Sequence, residues 1–166
     1  MTLKDYTMGR RVSLRSPHPK KEVEQRINSA AASVFSPFHH GVSGGVYFGR
    51  VRLGWSIPMF GNGFQPIFAG RVIEDEGESE LRARYGAPIF VLIFLLFWYS
   101  LLSIMAISQT AAYLSGELVS EDGWMLLFLI PVFFAVPIFV HFVFNMNADK
   151  HFEEILELLE READLR

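Results

Sequence analysis

Apolar and polar positions change rhythm several times along this chain, and each change marks an element. Residues 1–15 carry four basic residues and one acid with no clear hydrophobic period, and read as a flexible basic arm. A helix is expected from Ser16-Pro17, because serine can cap a helix and proline fits its first turn. Val23, Ile27, Ala30, Ala31 and Val34 then recur at helical spacing, with Lys20 and Glu24 four apart. Residues 35–45 have loop chemistry. From Val46 the period becomes two. Residues 46–53 and 55–60 read as strands, and Gly61-Asn62-Gly63 reads as a tight turn. A strand over 64–74 follows, then a turn at 75–78 and a strand over 80–85 with Leu81, Ala83 and Tyr85 on one face. The pattern predicts an α+β fold: an antiparallel meander of about four strands, with one face in need of a cover.

Two apolar blocks interrupt this domain. Residues 88–108 hold no charged side chain, and residues 124–145 hold one titratable group, His141. At about 1.5 Å per residue each reaches roughly 30 Å, the thickness of a bilayer core. They are expected to form a transmembrane hairpin over 87–145, with an external loop at 109–123. Two buried core helices are the poorer reading, since the polar remainder is too small to surround helices that are apolar on every side. The N-terminal stretch has no apolar run of signal-peptide type, so the first block is expected to stay in the protein. The loop between the blocks carries Glu117, Glu121 and Asp122 and no Lys or Arg, whereas Arg82, Arg84 and Lys150 flank the blocks on the other side. Charge bias therefore predicts both termini in the cytoplasm. After the second block, Phe152, Ile155, Leu156, Leu159 and Ala163 form one stripe of an amphipathic helix over 149–164. Its simplest use is to cover the sheet beside the N-terminal helix. The cytoplasmic domain would then combine residues 16–86 with 146–166.

Composition narrows the function classes. Hydrophobic residues make up 51% of the chain and sit mostly in the two blocks; the net charge is −3, and there is no cysteine. No global field points to nucleic acid. Disulfides, cysteine-based zinc sites and thiol catalysis are excluded. His39 and His40 are adjacent, which places their side chains apart on a strand or a helix, and a zinc site needs three or four converging ligands. No metal or cofactor is expected. A phosphate loop, nucleophile elbow or dinucleotide fingerprint is absent, so no catalytic residue is assigned; the glycine-rich run from Gly41 to Gly49 opens a strand and lacks the lysine of a phosphate loop.

The candidate residues belong to a membrane protein. Arg82 and Arg84 share one strand face close to the first block, Arg50 and Arg52 share another, and all are candidates for lipid-headgroup contact. The other use of these arginines is a solvated sheet face. His141 is an intramembrane polar candidate for a proton or ligand role. It also lies about 6 Å from the helix end, where an imidazole can reach interfacial water. Pro131 and Pro137 each remove a backbone donor, freeing the carbonyls of Leu127 and Phe133, and are expected to bend the second span. Trp98 and Tyr99 sit mid-span, where their N–H and O–H need partners; Ala135 is expected level with Trp98, giving hairpin packing or a contact to another subunit.

The run VYFGRVRLGWSIPMFGNGFQPIFAGRVIEDEGESELRARYGAPIFVLIFLLFW, through Phe48-Gly49, Asn62, Pro66 and Gly70, resembles small, uncharacterised bacterial inner-membrane proteins with a short β-rich cytoplasmic domain and two transmembrane helices. The resemblance covers about half the chain and rests on turns and strand entries, so it carries over no active residue. It implies a bacterial inner-membrane setting. The expected function is a non-enzymatic membrane-anchored interaction module that meets lipid headgroups, a membrane partner protein or a second copy in a homo-oligomer. The alternative is a small-ligand or transport-associated subunit using the kinked second span and His141.

Overall fold

The computed structural model of the chain describes residues 1–33, 38–56, 63–75, 77–116 and 121–166, leaving aside the side chains of 75, 121–128, 140, 141, 143 and 144. The fold is α+β, with one five-stranded antiparallel sheet and five helices. The strands are β1 (Arg10–Ser16), β2 (Gly41–Tyr47), β3 (Arg50–Ser56), β4 (Ile67–Asp75) and β5 (Glu78–Gly86), in the sheet order β1-β5-β4-β3-β2. The helices are α1 (Leu3–Met8), α2 (Lys20–Ala30), α3 (Ile89–Leu114), α4 (Glu121–Phe144) and α5 (Ala148–Ala163). Met1–Pro88 with Asn145–Arg166 form one compact unit, and Ile89–Phe144 form a second.

The N-terminal segment corrects the expectation of a flexible arm. Val12 and Leu14 alternate with Arg11, Ser13 and Arg15, so residues 10–16 have the period of a half-buried strand. β1 pairs with β5 from Arg10↔Tyr85 to Ser16↔Ser79 and makes the sheet five-stranded, not four. Ahead of it, α1 docks through buried Tyr6, whose hydroxyl donates to the Phe64 carbonyl at 2.7 Å. Burial pushes that phenol up to about 12. Ser16 caps no helix. It is the buried last residue of β1, and its Oγ donates to the Ala163 carbonyl, while α2 begins later, after Pro19.

The boundary between the first two meander strands also moves. A single strand over 46–53 was expected, but the chain turns inside it, at Phe48-Gly49, and β2 begins at Gly41 in what reads as loop. Of the turn expected at 61–63, residues 61 and 62 lie outside the described residues. Further on, β4 and β5 pair from Ile67↔Gly86 to Asp75↔Glu78.

One face of the sheet is covered by α2 and α5. Val23 and Ile27 of α2 and Ile155, Leu159 and Ala163 of α5 meet Val51, Leu53, Phe68, Val72, Leu81 and Tyr85 in a single core. Asp164 takes a left-handed conformation at the end of α5 and turns Leu165 back into that core. The edges of the sheet are blunted as well. Arg166 exchanges backbone hydrogen bonds with Arg15 of β1, and Ala32 bridges Ser43 of β2, so neither edge offers a full row of free peptide groups.

In the second unit, α3 has 26 residues and is the one helix, among the described residues, long and apolar enough to cross a membrane. The helix α4 has 24 residues, but the apolar stretch described within it, Leu129–Phe139, is shorter than a span. Among the described residues, length and composition thus support one span of the expected two-span hairpin.

Candidate functional site

Register decides which side chains share the open face of the sheet. Arg50 of β3 lies opposite Arg71 of β4, and Arg71 lies opposite Arg82 of β5. One pair of residues along, Arg52 faces Ala69, Ala69 faces Arg84, and Arg84 faces Arg11 of β1. Arg15 lies on the same face, opposite Glu80. Side chains alternate along a strand, so these positions all point away from the core formed by Val51, Leu53, Val72, Leu81 and Ala83. Seven arginines thus stand on one face of a protein whose net charge is −3. Glu78 and Glu80 share this face at the end of β5, and Glu153, Glu157, Glu160 and Glu162 are exposed on α5 in the opposite layer.

These arginines are not equivalent. Arg84 is committed to the fold: its Nε donates to the Met8 carbonyl at 2.9 Å and its Nη2 to the Thr7 carbonyl at 2.7 Å, closing the C-terminal end of α1. The side chain crosses Gly9, which has a φ of 75°, and a Cβ there would lie 2.2 Å from Arg84 Nε. Arg82 donates to Glu80 Oε2 from both Nη2 and Nε, at 2.6 and 2.9 Å. Those bonds, with one from the Ser13 hydroxyl, hold the Glu80 carboxyl down at about 2. Arg50, Arg52 and Arg71 are exposed, and among the described residues no carboxylate pairs with them.

Sequence alternation placed Arg50 with Arg52 and Arg82 with Arg84. It missed that register joins the two pairs through Arg71, and it missed Arg11 and Arg15 entirely. The signal for those two was present in the alternation of residues 11–15.

In the second unit, Trp98 Nε1 donates to the Phe133 carbonyl and Tyr99 Oη to the Phe134 carbonyl, each at 3.3 Å. The Trp98 ring lies 6.1 Å from that of Phe133, and Tyr99 lies 5.6 Å from Phe134. The contact falls two residues before Ala135. Pro131 and Pro137 both lie inside α4. Pro137 has no N–H to give the Phe133 carbonyl, which is the group that Trp98 reaches. The side chain of His141 lies outside the described residues.

Elsewhere in the first unit, Trp55 is held between two histidines. The His151 ring stacks on it at 4.6 Å and 6°, and His40 meets it edge-on at 5.4 Å. Half-burial pushes the His151 imidazole down; Lys150 and His40 add to this and Glu154 opposes it. Among the described residues, no group of three or more His, Cys, Asp or Glu side chains could hold a metal ion.

No protein-family model, no curated protein and no solved structure matches this chain. The bacterial inner-membrane setting implied by the resemblance gains no support from a relative.

Proposed function

We propose that this chain is a non-enzymatic, membrane-anchored interaction module of a bacterial inner membrane, whose arginine face meets the phosphates of anionic lipid headgroups. The observation that carries the reading is the set Arg50, Arg52 and Arg71, exposed without carboxylate partners on an open sheet face. Like charges on directly opposed strand positions cost stability, so the Arg50–Arg71 pair is unfavourable until anions come to it, whereas Arg82 already has Glu80. The anchor supports lipid as the source of those anions. Ile89, the first residue of α3, follows Arg84 by five positions, at most about 18 Å of extended chain. Each arginine near an anionic surface is worth about 1 kcal/mol.

In this reading α3 and α4 form a two-span hairpin, and both termini face the cytoplasm. The contacts of Trp98 and Tyr99 with the α4 backbone support the antiparallel packing.

The test uses the full chain in neutral detergent with added phospholipid. Anionic lipid should raise the melting temperature more than zwitterionic lipid does, because a ligand of the folded state stabilises it by mass action. Salt should weaken the difference. The combined Arg50→Gln, Arg52→Gln, Arg71→Gln variant should lose it while still folding. An equal response to both lipids in the native chain would overturn the proposal and leave a protein partner as the better occupant of the face.

A further inference from the structure

The hairpin joining β2 and β3 has a tip that strand pairing does not call for. Tyr47 pairs with Arg50, which leaves Phe48 and Gly49 as a two-residue loop, and both have positive φ, 51° and 72°. Two successive positive φ values define the primed turn that matches the twist of paired strands, and Asn-Gly or Asp-Gly ordinarily supplies it. An aromatic residue in the left-handed region is a conformational outlier that costs folded-state stability. No burial offsets that cost, since Phe48 is fully exposed, at 106% of its reference area. Burying a phenylalanine side chain would stabilise the state that buries it. Strain and exposure therefore fall on one residue, and asparagine would relieve both.

The surroundings indicate what the tip would meet. Tyr47 is also exposed, and it stands on the arginine face directly opposite Arg50, which is opposite Arg71. On the other side of the loop, Lys20 Nζ lies 4.0 Å from the place a Cβ on Gly49 would occupy. An aromatic tip within a collar of cations matches the interface of an anionic bilayer, which offers an apolar boundary just beneath a layer of phosphates. A protein pocket could take the ring but has no general reason to supply anions around it. A second copy would have to offer both an open apolar pocket and an acidic rim.

We propose that the Tyr47–Phe48 tip is an interfacial anchor, with Phe48 inserted at the headgroup–acyl boundary of an anionic bilayer and Arg50 and Arg71 holding the phosphates beside it. The inference rests on the lipid reading of the arginine face, and it adds a depth and an apolar contact to it.

The absence of cysteine makes the test direct, because one introduced thiol is the only labelling site. Nitroxides are placed by Phe48→Cys, by Ala69→Cys in the middle of the arginine face, and by Gln25→Cys on α2 as a reference on the opposite layer. The full chain is reconstituted into bilayers of zwitterionic lipid alone or with anionic phospholipid. Collision with oxygen, which partitions into lipid, is compared with collision with a water-soluble nickel chelate.

The expected result is an oxygen-to-nickel ratio several-fold higher at Phe48→Cys than at Gln25→Cys in anionic bilayers, and reduced in zwitterionic ones. With an Ala69→Cys reporter, adding Phe48→Asn should move the face toward water and should not lower the melting temperature in neutral detergent. A ratio at Phe48→Cys equal to the Gln25→Cys reference overturns the anchor. Shielding of Phe48→Cys from both reagents overturns it too, because it places the tip in protein. Nickel protection at Ala69→Cys with none at Phe48→Cys would remove the anchor and leave the arginine face on the membrane. Full nickel access at both would remove both readings.

Discussion

Arg71 stands between Arg50 and Arg82 on neighbouring strands, with directly opposed Cβ atoms about 5 Å apart, so its guanidinium repels that of Arg50 and, less strongly, that of Arg82, which Glu80 partly neutralises. Replacing the middle one, Arg71→Gln, should raise stability in neutral detergent by about 0.2–1 kcal/mol, read from thermal melts. The same variant should lose part of the gain from anionic lipid. A loss of stability in neutral detergent would mean that the row is held by stacking and is not waiting for anions. Which arginines share a strand face was legible from alternation alone. Their meeting across strands was not, because it depends on the registers of β3 with β4, β4 with β5 and β1 with β5, and local period does not contain them. Arg11 and Arg15 were lost with β1, where seven residues alternate too briefly to stand out beside three cations and no turn signal. A second residue-scale expectation concerns pH. The folded-state pKa of His151 is pushed below the ordinary 6.5 by burial against Trp55, so the unfolded chain takes up the proton more readily. Stability is then full well above pH 6.5 and declines as the pH falls through it. The melting temperature of the native chain should drop between about pH 7.5 and pH 5.5, and His151→Phe, which keeps a stacked ring, should flatten that slope. An unchanged slope in the variant would assign the pH dependence to other groups.

At the scale of elements, α5 was the most legible part of the chain, because charged residues bound its stripe on both sides. Ile155, Leu159 and Ala163 are fully buried, and Phe152 and Leu156 pack at the margin of the same core. Ile155→Ala should cost about 2–5 kcal/mol, measured by unfolding, since the sheet beneath is too rigid to fill the gap. A cost below 1 kcal/mol would mean that α5 detaches easily from the sheet. The α3–α4 contact was legible only in halves. Spacing from Pro137 identifies Phe133 as a carbonyl without its helical donor, and mid-span position identifies Trp98 as a donor without an acceptor. Hydropathy carries no information on how two apolar helices slide along one another, so the meeting of these two groups emerges only from the structure. It makes a double-mutant cycle informative. Trp98→Phe should cost about 0.6–2 kcal/mol, in line with hydrogen bonds between apolar helices. In a Pro137→Ala background the restored N–H can serve the Phe133 carbonyl, and the cost of Trp98→Phe should shrink. Additive effects would show that the indole contributes by packing alone.

For the whole molecule, connectivity constrains topology more tightly than hydropathy does. The unit Ile89–Phe144 is entered from β5 and left into α5, and both flanks belong to one core, which includes Leu81 from before it and Ile155 and Leu159 from after it. If α3 crosses a bilayer and the chain does not return, α5 ends on the opposite side from the sheet it covers. A crossing by α3 thus requires a crossing back, and α4 is the element available for it. Its 24 residues rise about 36 Å, more than the roughly 30 Å of a hydrocarbon core. The bend expected at Pro131 and Pro137 shortens that reach without exhausting it. In the proposed topology, charge bias would put Arg82, Arg84 and Lys150 on the cytoplasmic flanks and Glu121 and Asp122 at the outer end. The expectation is checked with a reporter that is active only outside the cytoplasm. It should work when inserted after Ser115 and fail when fused to either terminus. Activity at Ser115 and at the C-terminus together would mean that α4 does not return, and the shared core would have to form between chains. Inactivity at all three positions, with the fusions shown to accumulate, would mean that α3 does not cross. The lipid reading would then lose its anchor, and the arginine face would need a soluble anion.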